Sequence, residues 1–471
     1  LSAPALWIAL PFAAGLTLAL VGARRLTGWW AAGVAGALAL AAMFLPVDAP
    51  IPLGGSRLLV ESALPVLGRR FVLADHARPL VALLYGSGFF WLGAMRAFGY
   101  PRRDGGVGLA ALAALTAALA IQPIIYAPLF IFAAALVCVP LLAPPEGGAS
   151  RAAQVFVTFQ LLALPFLLTA SSMLAGLEGS PAGLETVARP GALLGGGFLL
   201  LLGVFPFHAW LPVVAEHSRP LAGAFVLAVF PLAALVWGVQ LMERFVWMRN
   251  APEVHTLLRF TGMATLLAGG VWSAFQGNLA RQLGFSALVE TGLLLTALGL
   301  GAGGLPVVFA LALARAASFL LWGAGLAELL RHAPAGDFAS VAGLMWRAPL
   351  GGLAAALGHF SAAGLPLLAG FAARLALLDS LSSADPTAAL GVWAGMLGMA
   401  IGATRALAAL VTTGADHASP RKEGTLLRGR PSLRGAGLLL GCLLIPLMGI
   451  FPQWFARLST LLAAAFPNLS P

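Results

Sequence analysis

Between Pro349 and Leu378 the sequence is apolar except for a Gly-Leu-Pro break at Gly364 to Pro366 and an arginine, Arg374, that keeps its charge at physiological pH. A bilayer tolerates neither on a lipid-facing helix, because hydrocarbon offers nothing to the backbone groups a break sets free, or to an unpaired charge. The segment is therefore expected to lie buried among other helices, where broken backbone and charge mark an ion route. The rest of the chain can supply those helices. Of 471 residues, 60% are hydrophobic and only 9% charged, too little polar surface to clothe a water-soluble globule of this size. The chain reads as an integral membrane protein.

Apolar runs of about 20 residues, enough to cross a bilayer as helix, recur along the whole length. Fourteen are expected, near 3–22, 28–46, 79–98, 106–122, 124–143, 152–177, 191–206, 220–242, 255–275, 282–301, 304–330, 349–378, 386–412 and 435–467. The formal charge of +10 does not point to nucleic acid. The basic residues stand singly or in short clusters between apolar runs, as in membrane loops. Cys138 and Cys442 each sit inside an apolar run with no metal-ligand spacing, so both read as buried free thiols. The first segment, Ala3 to Gly22, has no basic residue before it and no small-residue cleavage site, and reads as a retained helix.

Two connections are long. Val47 to Arg78 carries Pro, Gly and paired arginines and fits a small surface hairpin; Thr413 to Arg434 holds Arg421, Lys422, Arg428 and Arg430 and reads as a basic, flexible loop. With fourteen spans both termini share one side. The opposite loops carry more Lys and Arg, which puts both termini outside the cytoplasm. The seventh span ends in Phe205-Pro-Phe-His-Ala-Trp-Leu-Pro212, so Pro206 and Pro212 are expected to interrupt it as Gly364 and Pro366 interrupt the twelfth. Corresponding breaks five spans apart point to an inverted repeat with working groups at mid-membrane. The expected class is an all-α polytopic membrane protein of about fourteen transmembrane helices, with two inverted repeats containing broken helices. It divides into N-terminal helices with the hairpin (1–105), the repeat core (106–412), and the basic loop with a C-terminal span (413–471).

Several segments, in order, resemble one family: the antiporter-like membrane subunits shared by respiratory complex I (the M- and N-type subunits of NADH-quinone oxidoreductase), membrane-bound hydrogenases and multisubunit Mrp sodium/proton antiporters. Pro206-Phe-His-Ala-Trp-Leu-Pro212 resembles its PFHxWLP signature, and Phe285-Ser286 with Gly292 its AYSSxxxxG helix. Asp337 with Gly343-Leu-Met-Trp-Arg-Ala-Pro-Leu350 is similar to its acidic, glycine-bearing loop, and Ser361 to Arg374 to its SlaGiPPlaGFxxK segment. The resemblance implies proton or sodium translocation through half-channels at the broken spans, coupled to electron transfer elsewhere. It implies no cofactor in this chain, with quinone, flavin and iron-sulfur clusters in partner subunits. Other membrane subunits are the implied partners, in a bacterial-type inner membrane.

In such subunits the route runs along mid-membrane lysines and a glutamate, which this sequence largely lacks. Carried over residue by residue, the seventh-span lysine falls on Leu201, the fifth-span glutamate at or near Ala134, and the eighth-span lysine near Pro231. On the eleventh span Arg315 takes the lysine position and Leu311 that of a histidine; on the twelfth Arg374 replaces the lysine. Arginine holds its proton, so both can bias a field or hold a water chain but are poor stepping stones.

Five residues stand as ion-pathway candidates. Arg374 needs a partner at this depth, as an ion route or as a structural pair or carbonyl cap. Arg315 needs a partner from another span, and Glu290, an acid deep in the tenth span, is the natural choice. Glu290 then either carries protons or is locked in that pair. His208 can relay a proton or cap carbonyls freed by the break, and His359 either joins the route or packs with a local hydrogen bond. Arg405 reads as an anchor near a membrane face, and Phe205, Phe207 and Trp210 as packing. No Ser-His-Asp, Cys-His or metal-ligand pattern appears. Three functions stay open: a translocating subunit of a complex-I-like assembly, a free-standing cation/proton antiporter, and a non-conducting structural membrane subunit.

Overall fold

The computed structural model describes residues 1–20, 29–53, 56–143, 150–177, 184–412 and 432–469. Most of Thr413 to Arg434, with Lys422, lies outside the described residues. The N-terminal helices are α1 (Leu10–Leu20, preceded by a π-helical turn at Ala5–Ala9), α2 (Trp30–Phe44), α3 (Arg78–Ala97), α4 (Arg102–Ala120), α5 (Ala127–Val137) and α6 (Val139–Leu142). Next come α7 (Arg151–Leu174), α8 (Leu184–Leu202), α9 (Trp210–His217), α10 (Pro220–Arg244), α11 (Val246–Asn250), α12 (Pro252–Phe275) and α13 (Leu279–Leu298). The remainder are α14 (Leu305–Leu329), α15 (Leu344–Arg347), α16 (Pro349–Ala363), α17 (Ala369–Ala384), α18 (Pro386–Val411), α19 (Leu433–Ile450) and α20 (Gln453–Ala463). Among the described residues eight helical stretches are long and apolar enough to cross a membrane. The chain is a multi-pass helical membrane protein.

Helix starts follow from local chemistry. Proline opens α10, α12, α16 and α18, where its missing N–H would have had no helical partner. Ser150, Asn278, Asp385 and Ser432 accept N–H bonds at the starts of α7, α13, α18 and α19. Packing rests on small residues that let backbones meet. A β-carbon on Gly270 would lie 2.6 Å from the Gly395 oxygen, binding α12 to α18, and one on Gly262 would lie 2.8 Å from the Gly292 oxygen, binding α12 to α13. In Gly195-Gly-Gly197 only the last approaches this closely, 2.4 Å from a Leu167 methyl on α7.

The all-α expectation needs one correction. Val47 to Arg78 forms strands β1 (Ile51–Leu53), β2 (Ser56–Leu58), β3 (Ala63–Val66) and β4 (Arg69–Val72), and β5 (Ile121–Gln122) adds to β4. The hairpin was legible from its Pro and Gly content. The third strand was not, because two residues at the end of an apolar run carry no alternation to read.

Both expected breaks are present. Helix stops at Leu202, Gly203 takes φ +67°, and helix resumes at Trp210. Pro206 lies in this interruption, but Pro212 does not: it sits in the first turn of α9, where proline breaks nothing. The second break runs from Gly364, in the left-handed region at φ +79°, through Pro366 to Leu368. The expectation that this whole segment is buried also fails. Gly364 and Arg374 are enclosed, whereas Pro366 is exposed and Leu367 is 65% exposed. Gly364 and Leu367, both at positive φ, turn the chain outward and back between α16 and α17.

Candidate functional site

Five helices meet around three buried charges, Glu290 on α13, Arg315 on α14 and Arg374 on α17, each 1% exposed. Arg374 Nη2 bonds the Glu290 carboxylate. The same nitrogen donates to the Ala362 carbonyl at 2.5 Å, and Nη1 donates to Gly370 O at 2.8 Å. Ala362 lies in the last turn of α16, where carbonyls have no helical donor, so Arg374 is at once the ion-pair partner and the cap of the broken helix. One guanidinium thus makes both structural contacts named from sequence, the ion pair and the carbonyl cap.

Glycine makes that position possible. A β-carbon on Gly370 would stand 2.1 Å from Arg374 Nη1 and from Ser361 O, and one on Gly364 would stand 2.4 Å from Arg374 Cδ. Ser361 ties the seam: its hydroxyl accepts from the Gly370 N–H at 3.3 Å and from Ser318 Oγ at 2.8 Å.

Arg315 does not pair with Glu290 as expected. It donates to Thr291 Oγ1 at 3.1 Å and to Leu227 O, on α10, at 2.6 Å, and it lies over the Phe319 ring at 5.3 Å. The Leu227 carbonyl is free because Pro231, four residues on, has no N–H to give it. The partner is therefore backbone, supplied by a helix-interior proline, and the carboxylate goes to the other arginine. Glu290 Oε2, Arg315 Nε and Arg374 Nε find no hydrogen-bond partner among the described residues. One carboxylate thus faces two guanidinium groups.

The histidines lie elsewhere. His208 stacks on Trp272, with ring centroids 4.3 Å apart, and its ring faces the Pro206 carbonyl inside the break. His359 is buried and stacks on Trp322 at 3.9 Å, with Nε2 unpartnered in place of the expected local hydrogen bond. Arg405 bonds the carbonyls of Ala274 and Gln276, closing the end of α12. Trp210 is buried as expected of a packing residue, but Phe205 and Phe207 are 42% and 41% exposed. Cys138 and Cys442 are buried free thiols.

Sequence reasoning missed Thr291, Ser318, Ser361 and the carbonyl of Leu227. A signal existed for two of them: Arg315 and Ser318 are three apart on one helix face, and Pro231 strips a donor from the residue four before it. It also missed Asp104, fully buried and paired to Arg219 at 2.5 Å, because Asp104 stands just ahead of its apolar run and reads as loop. Leu201, Ala134, Pro231 and Leu311, the positions at which the resemblance would place titratable groups, are all buried.

Residues 125–402, more than half of the chain and all five candidate positions, match the NADH:quinone oxidoreductase/Mrp antiporter transmembrane family. The chain belongs to that family. One relative within reach of sequence comparison is NADH-quinone oxidoreductase subunit N of Cereibacter sphaeroides, 31% identical over 288 residues, 59% of this chain and 61% of the relative. The chain thus matches less than two thirds of that relative's length. The antiporter-family fold extends further. A chain of the membrane-bound sulfane sulfur reductase, an archaeal respiratory membrane complex, superposes with a TM-score of 0.82 at 19% identity, covering 98% of this chain and 97% of that one. A chain of Thermus thermophilus respiratory complex I does so with a TM-score of 0.74 at 24% identity, covering 99% and 100%.

Proposed function

We propose that this chain is an ion-translocating membrane subunit of a complex-I-like assembly, moving protons, or sodium ions, in response to electron transfer in companion subunits that hold the flavin, iron-sulfur and quinone chemistry. Fourteen crossings in two inverted repeats, with broken seventh and twelfth spans, form its frame in a bacterial-type inner membrane with both termini outside the cytoplasm. Segments 1–105, 106–412 and 413–471 are its N-terminal, repeat-core and C-terminal parts. The observation that carries the reading is the Glu290–Arg374 pair at the end of a broken helix. A carboxylate held by one guanidinium, beside a second one bonded only to neutral groups, is a switchable centre: an approaching cation competes with Arg374 for Glu290. Arg315 sets the local field, while His208 and His359 flank the two breaks as further candidates. Exposed broken backbone at Pro206 and Pro366 also favours companions, since bare lipid cannot satisfy it.

The loss of titratable groups at Leu201, Ala134 and Pro231 favours a second reading, a non-conducting structural subunit. Proton flux into liposomes carrying the protein with its co-purifying subunits separates the two. The leading reading expects flux that Glu290→Gln reduces to the leak of empty liposomes and Glu290→Asp preserves. Wild-type flux at the leak level supports the structural reading, and unchanged flux in Glu290→Gln removes the route through this pair.

A further inference from the structure

A second polar site lies away from the charged junction, where the ends of α3 and α14 meet the starts of α10 and α19. A groove of about 320 Å³ opens there between Tyr100, Pro220, Leu330 and three arginines, Arg219, Arg331 and Arg434. The α3–α4 turn, α10, α14 and α19 all contribute, so the groove is a tertiary feature at one end of the helices. Among the described residues, carboxylates do not balance its charge. Arg219 is held by buried Asp104 at 2.5 Å and lies over the Tyr100 ring at 4.6 Å; Asp104 also neighbours Arg103 at 3.7 Å. Arg331 pairs with Glu328 at 3.1 Å. Arg434 donates Nε to Ala97 O at 2.9 Å, with Nη2 against Gly99, and has no carboxylate partner among the described residues. Among the described residues, the groove's three guanidinium groups therefore face two carboxylates, one of which also neighbours Arg103.

We propose that this groove binds a phosphate-bearing anion, with the headgroup of an anionic membrane phospholipid as its occupant. Guanidinium forks match phosphate oxygens, and basic pockets between transmembrane helices at a membrane surface are suited to anionic headgroups. The lining pairs charge with apolar and aromatic surface at Tyr100, Pro220 and Leu330, as an amphiphile needs at the water–hydrocarbon boundary. Arg219 is already fixed by Asp104 and Tyr100 and forms the rigid wall. Arg331 and Arg434 are the adjustable arms. The site does not depend on ion conduction by the chain.

The test measures phospholipid retained by the protein with its co-purifying subunits in phosphatidylcholine nanodiscs titrated with phosphatidylglycerol. Wild type selects phosphatidylglycerol. Arg331→Gln and Arg434→Gln each weaken that selection about tenfold, the ratio for one charge-assisted hydrogen bond. The double Lys variant, which keeps the charge, retains most of it, and Arg249→Gln, a basic change outside the groove, leaves it unaltered. Inorganic phosphate supplied in place of the lipid identifies the source: phosphate binding lost in the double Gln variant supports a free-anion occupant, and lipid selection that phosphate does not compete away supports the headgroup. Equal retention of phosphatidylglycerol by wild type and the double Gln variant, or no binding of either anion to wild type, overturns the proposal.

Discussion

Arg315 is anchored by Pro231 through the carbonyl that the proline leaves unclaimed: Leu227 O, four residues before the ring, accepts the Arg315 guanidinium at 2.6 Å. A proline in a helix interior costs a hydrogen bond, and here a buried cation from a neighbouring helix takes the vacated acceptor. Pro231 supplies no titrating group, yet it still bears on the charged junction, as the source of an acceptor.

That relationship gives the first prediction. Arg315→Met strands the Leu227 carbonyl, a buried acceptor worth about 1–3 kcal/mol when left unpaired. In a Pro231→Ala background the restored N–H satisfies it, so the same Arg315 change is less costly by about that amount. Thermal unfolding of the four proteins in detergent measures the difference. An identical cost in both backgrounds would mean the carbonyl is not what holds Arg315.

Breaking the Glu290–Arg374 pair from one side leaves a buried, uncompensated charge, and Glu290→Gln is expected to cost about 3–5 kcal/mol. Removing both charges together, as Glu290→Gln with Arg374→Gln, is expected to cost clearly less than the sum of the single changes. Additive costs in a double-mutant cycle would show that the two residues do not depend on each other.

Two glycines give a matched comparison. Gly370→Ala drives a methyl to 2.1 Å from Arg374 Nη1 and from Ser361 O, and should destabilise by about 1–3 kcal/mol while displacing the arginine. Gly195→Ala meets nothing within 4 Å and should stay within about 0.5 kcal/mol of wild type. Similar unfolding temperatures for the two variants would argue against a tight cradle around Arg374.

Asp337, in the connection between α14 and α15, accepts hydrogen bonds from the Ser340 N–H and hydroxyl, which hold its carboxyl below the usual value. A lowered folded-state pKa contributes stability that is present above the unfolded value, about 3.9, and is lost as pH falls through the folded one. Ser340→Ala removes the hydroxyl bond, so the gap in unfolding temperature between wild type and variant should be visible at neutral pH and should close as the pH drops below about 3.9. A gap that persists or widens in acid would assign the effect to something other than Asp337.

Legibility differed from residue to residue. Gly364 and Pro366 announced the second break because both act through local backbone geometry, and Arg374 announced its own burial because a charge inside a long apolar run has few other places to go. Pro212 misled for the same local reason: proline looks alike at a break and in a first helical turn, and only the position of the helix start tells them apart. Glu290 was recognised as an acid in need of a base, yet it was assigned to Arg315, since both arginines satisfied the chemistry and no local rule chose between them.

The sequence by itself determined the membrane-helical class, the two interruptions and the three mid-span charges, Glu290, Arg315 and Arg374, that must find partners, because hydropathy, proline and glycine act over a few residues. Tertiary structure alone decided which arginine holds Glu290, that the Leu227 carbonyl receives the other, and that Asp104 closes on Arg219. Those choices depend on which helices pack side by side, and contacts between residues 84, 88 and 115 positions apart in the chain are fixed by that packing and by nothing local.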